Sequence, residues 1–542
     1  MDVLILAPKD ALGVMDPGVS QYEFHGAGGL ISWPRDFHAH LGPVGAWNFF
    51  LRLGYRPRWI TWSALAAEKP AENLLVVSSL GRWTSTQVTA LQQWTRNGGT
   101  LLAAGVSPHW FEFWGFDAER ASFQTIGRPE GALGVQYCKE GDASVWAPAE
   151  QPYLRPGWEE LPAGVKPYGR LLLILGERSS PKRALKTDLG VPVLWQNGNA
   201  FYLNGNPFAG FQAWLQGQSD LSSWLGWRHR LFWLDQWVAD LQKLLLDAGI
   251  LSLVRPKQLE GFSRISIVFR HDVDASKDRT YLEVEEKSHV PATYAILKDL
   301  HTRFWTRALK ASSTAESALH YNTIQNDLFS QIARRFQKRT NTYHPARRQI
   351  AGKGILRQVG WARRQGIGVQ TLHRHGPFLI YPEWIDAMDH VFSQNPDISG
   401  SSSLFRSRLL RYGQEDLANG DGALPPLSEV QFPLWFPFKL AHAGYQGRPL
   451  RGWESAHVME VAPEAFMEMI EQTEELDLPY FVFTLNFHPA HALRPTFAPG
   501  GCIAWFKKIL EFIQEQRYDI FTLRGVYEKL NHIFHADYDR AG

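Results

Sequence analysis

At 542 residues the chain is longer than one hydrophobic core usually organises, so two or three domains are expected. Its 44% hydrophobic residues and formal net charge of +2 are those of an ordinary globular protein and by themselves point to no partner. The two cysteines, Cys138 and Cys502, lie far apart without CxxC spacing, which excludes a disulfide scaffold and a finger-type zinc site. No apolar segment approaches the roughly 18 residues that span a bilayer.

The opening stretch MDVLILAPKDALG has no basic leader, and its apolar run stops at Pro8 and Lys9. It reads as a first β-strand rather than a signal peptide, and a cytoplasmic location is expected. Asn73 to Gly105, NLLVVSSLGRWTSTQVTALQQWTRNGGTLLAAG, has the length of one βαβ unit. Thr84 and Gln87 form a capping-box pattern, Val88, Leu91 and Trp94 make a helical apolar stripe, and Asn97-Gly98-Gly99 ends it. This segment resembles the class I glutamine-amidotransferase-like domains, which implies a flavodoxin-like α/β fold over residues 1–110. Working members carry a cysteine on the strand-to-helix elbow. Here the corresponding stretch is Ser78-Ser79-Leu80-Gly81, so glutamine hydrolysis is not expected and the domain is read as degenerate.

Residues 111–251 read as a β-rich extension with a helical end. Short strands broken by Gly and Pro, such as GRLLLILGE and GNAFYLNGNPF, precede the helical stretch RHRLFWLDQWVADLQKLLLDAG. The 22 Trp of the chain have indole faces that suit sugar rings, although most Trp residues are core residues. SLVRPKQLEG, Ser252 to Gly261, is the expected linker.

The chemistry is concentrated from Phe262 onward. The apolar strand Arg264 to Phe269 runs into Arg270-His271-Asp272-Val273-Asp274, and the i, i+2 spacing puts both carboxylates on one face. Such a pair needs a positive charge or a division of roles. A second strand follows at Val290 to Leu297. GIGVQTLHRHGPF then places His373 and His375 at i and i+2, as two ligands of one metal would be. PYFVFTLNFHPAH is an apolar strand, Pro479 to Leu485, ending at His488 with His491 close behind. Strands separated by helices, with polar residues just past the strand ends, match a (β/α) barrel with its site at the C-terminal rim.

This order of motifs resembles the polysaccharide deacetylase family, metal-dependent sugar deacetylases on a distorted (β/α)7 barrel, over residues 262–535. The resemblance implies Asp272 as general base, Asp274 as metal ligand and His488 as general acid. It also implies His373 and His375 as metal ligands, although His-x-His replaces the family's His-x-x-x-His. Ala292-Thr293-Tyr294-Ala295 matches the family's second strand. SLFRSRLLRYG would place Arg406 beside the base, and FPLWFPFK would supply Trp435 as an aromatic wall. His491 is expected at the substrate. The implied cofactor is a divalent metal of the Zn²⁺ type, and the implied substrate is an acetylated glycan or lipid-linked sugar. Two other readings stay open: another metal-dependent amidohydrolase, and a catalytically silent glycan-binding protein. Finally, residues 301–364 hold thirteen Arg and Lys side chains against two acids, Glu316 and Asp327. That charge suits an anionic membrane surface or an acidic glycan, and no nucleic-acid reading module accompanies it.

Overall fold

The computed structural model describes residues 3–7, 21–26, 29–68, 70, 73–78, 84–105, 123–124, 132–138, 144–147, 153–154, 164–168, 170–175, 185–188, 192–204, 207–215, 233–251, 261–274, 276–322, 345–375, 381–405, 435–441, 450–495 and 498–538. The first sheet contains β1 (Val3–Leu6), β2 (Pro57–Ile60), β3 (Leu74–Ser78), β4 (Thr100–Gly105), β5 (Val165–Tyr168), β6 (Leu194–Asn197) and β7 (Ala200–Asn204). Its seven strands run in the order β5-β6-β7-β4-β3-β1-β2. β2, β1, β3, β4 and β7 are parallel, and β6 pairs antiparallel with both β7 and β5. β5 to β7 lie beyond residue 110, so the boundary expected there cuts through this sheet.

The central strands are continuous apolar runs because both sheet faces are covered. Alternate residues divide between two cores. Leu4, Leu75 and Leu101 pack with Leu91 and Trp94 of α2 (Ser85–Arg96), which begins with the Thr84/Gln87 capping box. Ile5, Val76 and Leu102 face α1 (Arg35–Arg52) and α3 (Pro207–Leu215), and that core continues into the C-terminal half. The two helices touch so closely at Gly45 that a Cβ there would lie 1.9 Å from the Phe208 carbonyl oxygen. Residues 132–138, 144–147, 170–175 and 185–188 form a separate four-stranded antiparallel sheet.

After α4 (Trp233–Asp247) comes the barrel: β8 (Ile265–Asp272), β9 (Ala292–Leu297), β10 (Ala315–Asn322), β11 (Thr371–His375), β12 (Gly400–Phe405), β13 (Trp453–Met459) and β14 (Phe481–Asn486). All seven are parallel, and β8 pairs with both β9 and β14, which closes the ring. A short strand, β15 (Asp519–Phe521), pairs in parallel with residues 266–268 of β8, ahead of the stretch that pairs with β9. Helices α5 (Thr280–Ser288), α6 (Thr302–Ala311), α7 (Pro345–Gln365), α8 (Tyr381–Gln394), α9 (Pro463–Glu474), α10 (Cys502–Gln516) and α11 (Leu523–Tyr538) follow strands in turn. No described helix is long and apolar enough to cross a membrane.

The N-terminal sheet is joined to the floor of the barrel, where the strands begin. Arg52 of α1 pairs with Asp235 of α4 at 2.8 Å, and both are buried. The guanidinium also donates to the Tyr480 carbonyl and lies 4.2 Å from the Phe481 ring centroid, at the start of β14. Asp235 accepts the Trp435 backbone N–H at 2.9 Å. Burial pushes its carboxyl up, while Arg52 pulls it back down. Asn48 exchanges two hydrogen bonds with the Lys439 backbone, and Trp47 packs on Trp453. Trp435 is fully buried here, with its ring on Phe483 at 4.7 Å. It is therefore part of the floor, not the aromatic wall of an open site.

Removing one partner of a buried ion pair leaves the other charge desolvated and uncompensated. Asp235→Ala is expected to destabilise the protein by about 3–5 kcal/mol. The double change Arg52→Met with Asp235→Leu should recover most of that loss in urea unfolding.

Candidate functional site

The barrel interior carries its polar residues toward the strand ends. Arg270 and Asp272 of β8 point inward, two residues apart on one face of the strand. Arg270 is fully buried in the barrel axis. It donates to the Ser402 carbonyl at 2.6 Å and to His457 Nδ1 at 2.9 Å, which joins β8 to β12 and β13. Its fork also reaches Asp272, with Nη2 at 2.8 Å from each carboxylate oxygen. Asn486 Nδ2 adds a bond to Oδ2 at 2.9 Å, and His320 Nδ1 lies 3.1 Å from Oδ1. Burial alone would raise Asp272, but Arg270, His320 and His488 outweigh it and hold the carboxyl well below its usual range. The guanidinium beside Asp272 thus comes from Arg270 on the same strand. Arg406, expected in that position, lies outside the described residues.

Three side chains from three strand ends converge at the rim. Asp274 follows β8, His320 is on β10 and His375 ends β11. One ligand-type atom from each lies within 4.8 Å of the other two. His375 Nδ1 is 3.0 Å from Asp274 Oδ2 and 3.0 Å from His320 Nε2, and His320 Nε2 is 3.7 Å from Asp274 Oδ1. With its Nδ1–H directed to Asp272, His320 presents the Nε2 lone pair to this point, the carboxylate–histidine arrangement that orients metal ligands. Burial pushes the Asp274 carboxyl up, but the neighbouring His320 and His375 bring it below its usual value. One carboxylate and two imidazoles around a single point fit a divalent cation of the Zn²⁺ type.

His373 is not in this group. It shares a strand face with His375, but two residues of strand rise about 6.6 Å, so it sits one layer deeper. It is fully buried, neither ring nitrogen has a hydrogen-bond partner among the described residues, and burial together with Arg270 drives its basicity far down. His320 takes the expected place of His373. The visible signal was a histidine near the end of AESALHYN, a short stretch between helices.

A second group stands across the rim. Glu460, just after β13, accepts from His488 Nδ1 and His491 Nδ1, each at 2.6 Å. These three also offer ligand-type atoms within 4.8 Å, although the two short contacts are those of ring N–H donors sharing one carboxylate oxygen. Glu460 occupies the left-handed region, φ 42°, which a non-glycine residue adopts only when its surroundings impose it. Its backbone N–H is bonded to the Asn486 carbonyl at 2.9 Å. Burial lowers the His488 imidazole, but the Glu460 carboxylate overrides this and raises it to about 9. Its Nε2 faces Asp272 Oδ2 at 3.8 Å. His491 meets Glu460 and lies 5.1 Å from His488 between ring centroids.

The strand end that carries His488 is pinned from outside the barrel. His271 Nδ1 donates to the Phe487 carbonyl at 2.7 Å, and Nε2 meets Glu285 Oε1 of α5 at 2.7 Å. Tyr294 donates to the other Glu285 oxygen at 2.6 Å. The imidazole lies between the Tyr281 and Tyr294 rings.

No protein-family profile matches the chain, and no curated protein matches it. Among solved structures it is similar to Puue allantoinase, with a TM-score of 0.33 and 10% identity over 52% of this chain and 95% of that one. It is also similar to α-L-fucosidase isoenzyme 2 from Paenibacillus thiaminolyticus, with a TM-score of 0.26 and 14% identity over 45% of this chain and 33% of that one. Neither likeness bears on the chemistry, which rests on the side chains described above.

Zn²⁺ titration by calorimetry is expected to show one tight site that Asp274→Asn, His320→Ala or His375→Ala abolishes. Asp272→Asn should weaken it by about 10–100-fold, because the carboxylate orients a ligand. His373→Phe should leave it unchanged, and loss of the ion in that variant would restore His373 to the ligand set.

Proposed function

We propose that the chain is a metal-dependent hydrolase that removes acetyl groups from N-acetylated sugars of a glycan or glycolipid. The observation that carries this reading is the facing of two groups across one rim: a three-ligand set at Asp274, His320 and His375, and a proton-bearing His488 opposite. When bound, a divalent cation would supply Lewis acidity there. Hydrolysis of an amide also requires a proton for the departing amine. His488, kept protonated by Glu460, is placed to give it. Asp272 holds His320 in one tautomer and stands nearest to His488 Nε2 among the carboxylates of the barrel axis. In this reading Asp272, held ionised well below its usual range, steadies the protonated His488 across the barrel axis rather than carrying a proton itself. His491 shares the Glu460 carboxylate and borders the space in which the sugar would lie.

Acetate release from a panel of N-acetylated glycans, with the divalent-ion content measured alongside, tests the proposal. Release that requires the ion supports it. A protein that binds sugar but neither ion nor acetyl group would instead be a silent glycan-binding protein. Hydrolysis of other amides without acetate release would place it among other amidohydrolases.

The proton on His488 also sets a pH dependence. An acid raised to about 9 is loaded below that pH and empties as pH rises through it, so turnover should hold at neutral pH and fall above about 9. Glu460→Gln removes the charge that raises it and should move this fall downward by about 1–3 units. His488→Gln should lower kcat by about 10²–10⁴-fold while the bound ion stays. An unmoved basic limb in Glu460→Gln would remove His488 from the acid role.

A further inference from the structure

Helices α6 and α7 both pack against β10 on the flank of the barrel. Neither contains a single acidic residue over its whole length. On α6 the buried face is Thr302, Trp305 and Leu309, and the opposite face exposes Arg303, Arg307 and Lys310. On α7, Ile355, Val359 and Ala362 are buried, and Lys353, Arg357 and Arg364 are exposed. Among the described residues none of these six cations forms a salt bridge, in contrast to Arg363 of the same helix, which is held by Asp397 at 2.7 Å. A face of unpaired like charges is unfavourable by itself and gains from an anionic counterpart.

Leu300, on the loop that joins β9 to α6, is 95% exposed, a large apolar side chain standing clear of the surface. Lys298 on the same loop lies 5.7 Å from the Trp361 ring of α7, which connects the loop to the second cationic helix. The loop follows the C-terminal end of β9, so Leu300 stands at the rim end of the charged flank. A polyanionic chain would gain nothing from an isolated leucine. A bilayer accepts both features, with headgroups at the cations and the leucine entering the interface.

We propose that the α6–α7 flank, with Leu300 at its edge, docks on the anionic surface of a lipid bilayer. Docking needs no turnover, so it stands or fails apart from the proposed hydrolysis. The test is co-sedimentation of the full chain with vesicles of phosphatidylcholine alone and of phosphatidylcholine mixed with phosphatidylglycerol, at low and high salt. Binding only to the anionic vesicles and lost at high salt is expected. Each reversed cation should weaken it by about fivefold or more. The pairs Arg303→Glu with Arg307→Glu and Lys353→Glu with Arg357→Glu should therefore each reduce it by more than about 25-fold. Leu300→Ser should weaken it further without altering the salt response. Thermal unfolding of the variants checks that they remain folded. Negligible binding, equal binding to both vesicles, or binding untouched by the reversals would overturn the proposal. Tighter retention by soluble dextran sulfate, with no effect of Leu300→Ser, would overturn it in favour of an anionic polymer.

Discussion

The open end of the barrel is organised around one buried ion pair, Arg270 with Asp272. Two aspartates two residues apart on a strand repel, and burial would neutralise the deeper one. The guanidinium in the barrel axis removes both problems, and it is tied to β12 and β13 so that the barrel wall fixes its place. An ionised Asp272 then holds His320 Nδ1, and the other ring nitrogen of His320 is thereby aimed at Asp274 and His375. On the other side Asp272 receives Asn486 and faces His488. Replacing that buried charge would therefore be felt by both halves of the site.

The proton-bearing half is held with comparable care. Glu460 sits in a sparsely populated backbone region with its carboxylate against two imidazoles. Strain of this kind persists where surrounding contacts impose it, here a backbone bond to Asn486 and two charge-assisted bonds. The His271–Glu285–Tyr294 chain fixes the Phe487 carbonyl from the helix layer, one residue before His488. Inner and outer faces of β8 thus serve the same strand end of β14.

The two ends of the barrel are used differently. The floor carries the Arg52–Asp235 pair and the aromatic contacts of Trp47, Trp435 and Trp453, and there the barrel shares one core with the N-terminal sheet. The described contacts of that sheet are with the floor, whereas Asp274, His375 and His488 stand at the opposite rim. This arrangement suits a supporting role for the N-terminal half, since its side of the barrel is the one away from the ligand set.

The sequence by itself determined the strands and where they end. Apolar runs bounded by polar residues located β8, β9 and β14 to within about three residues and marked the end of β11, and the period of two placed Asp272 with Asp274 and His373 with His375 on common faces. It also supplied the cap of α2 and the cationic balance of residues 301–364, because each of these is a local property. Which members of those pairs meet was decided by barrel closure. Strand rise separates i from i+2 by a full layer, so a single point at the rim takes one residue from each of three strands, Asp274, His320 and His375, and leaves His373 below. The Arg270 contact on Asp272, the carboxylate of Glu460 and the burial of Trp435 are likewise non-local. They depend on which strand ends face one another across a closed ring and on what covers its floor, and neither relation is written in any short stretch of chain.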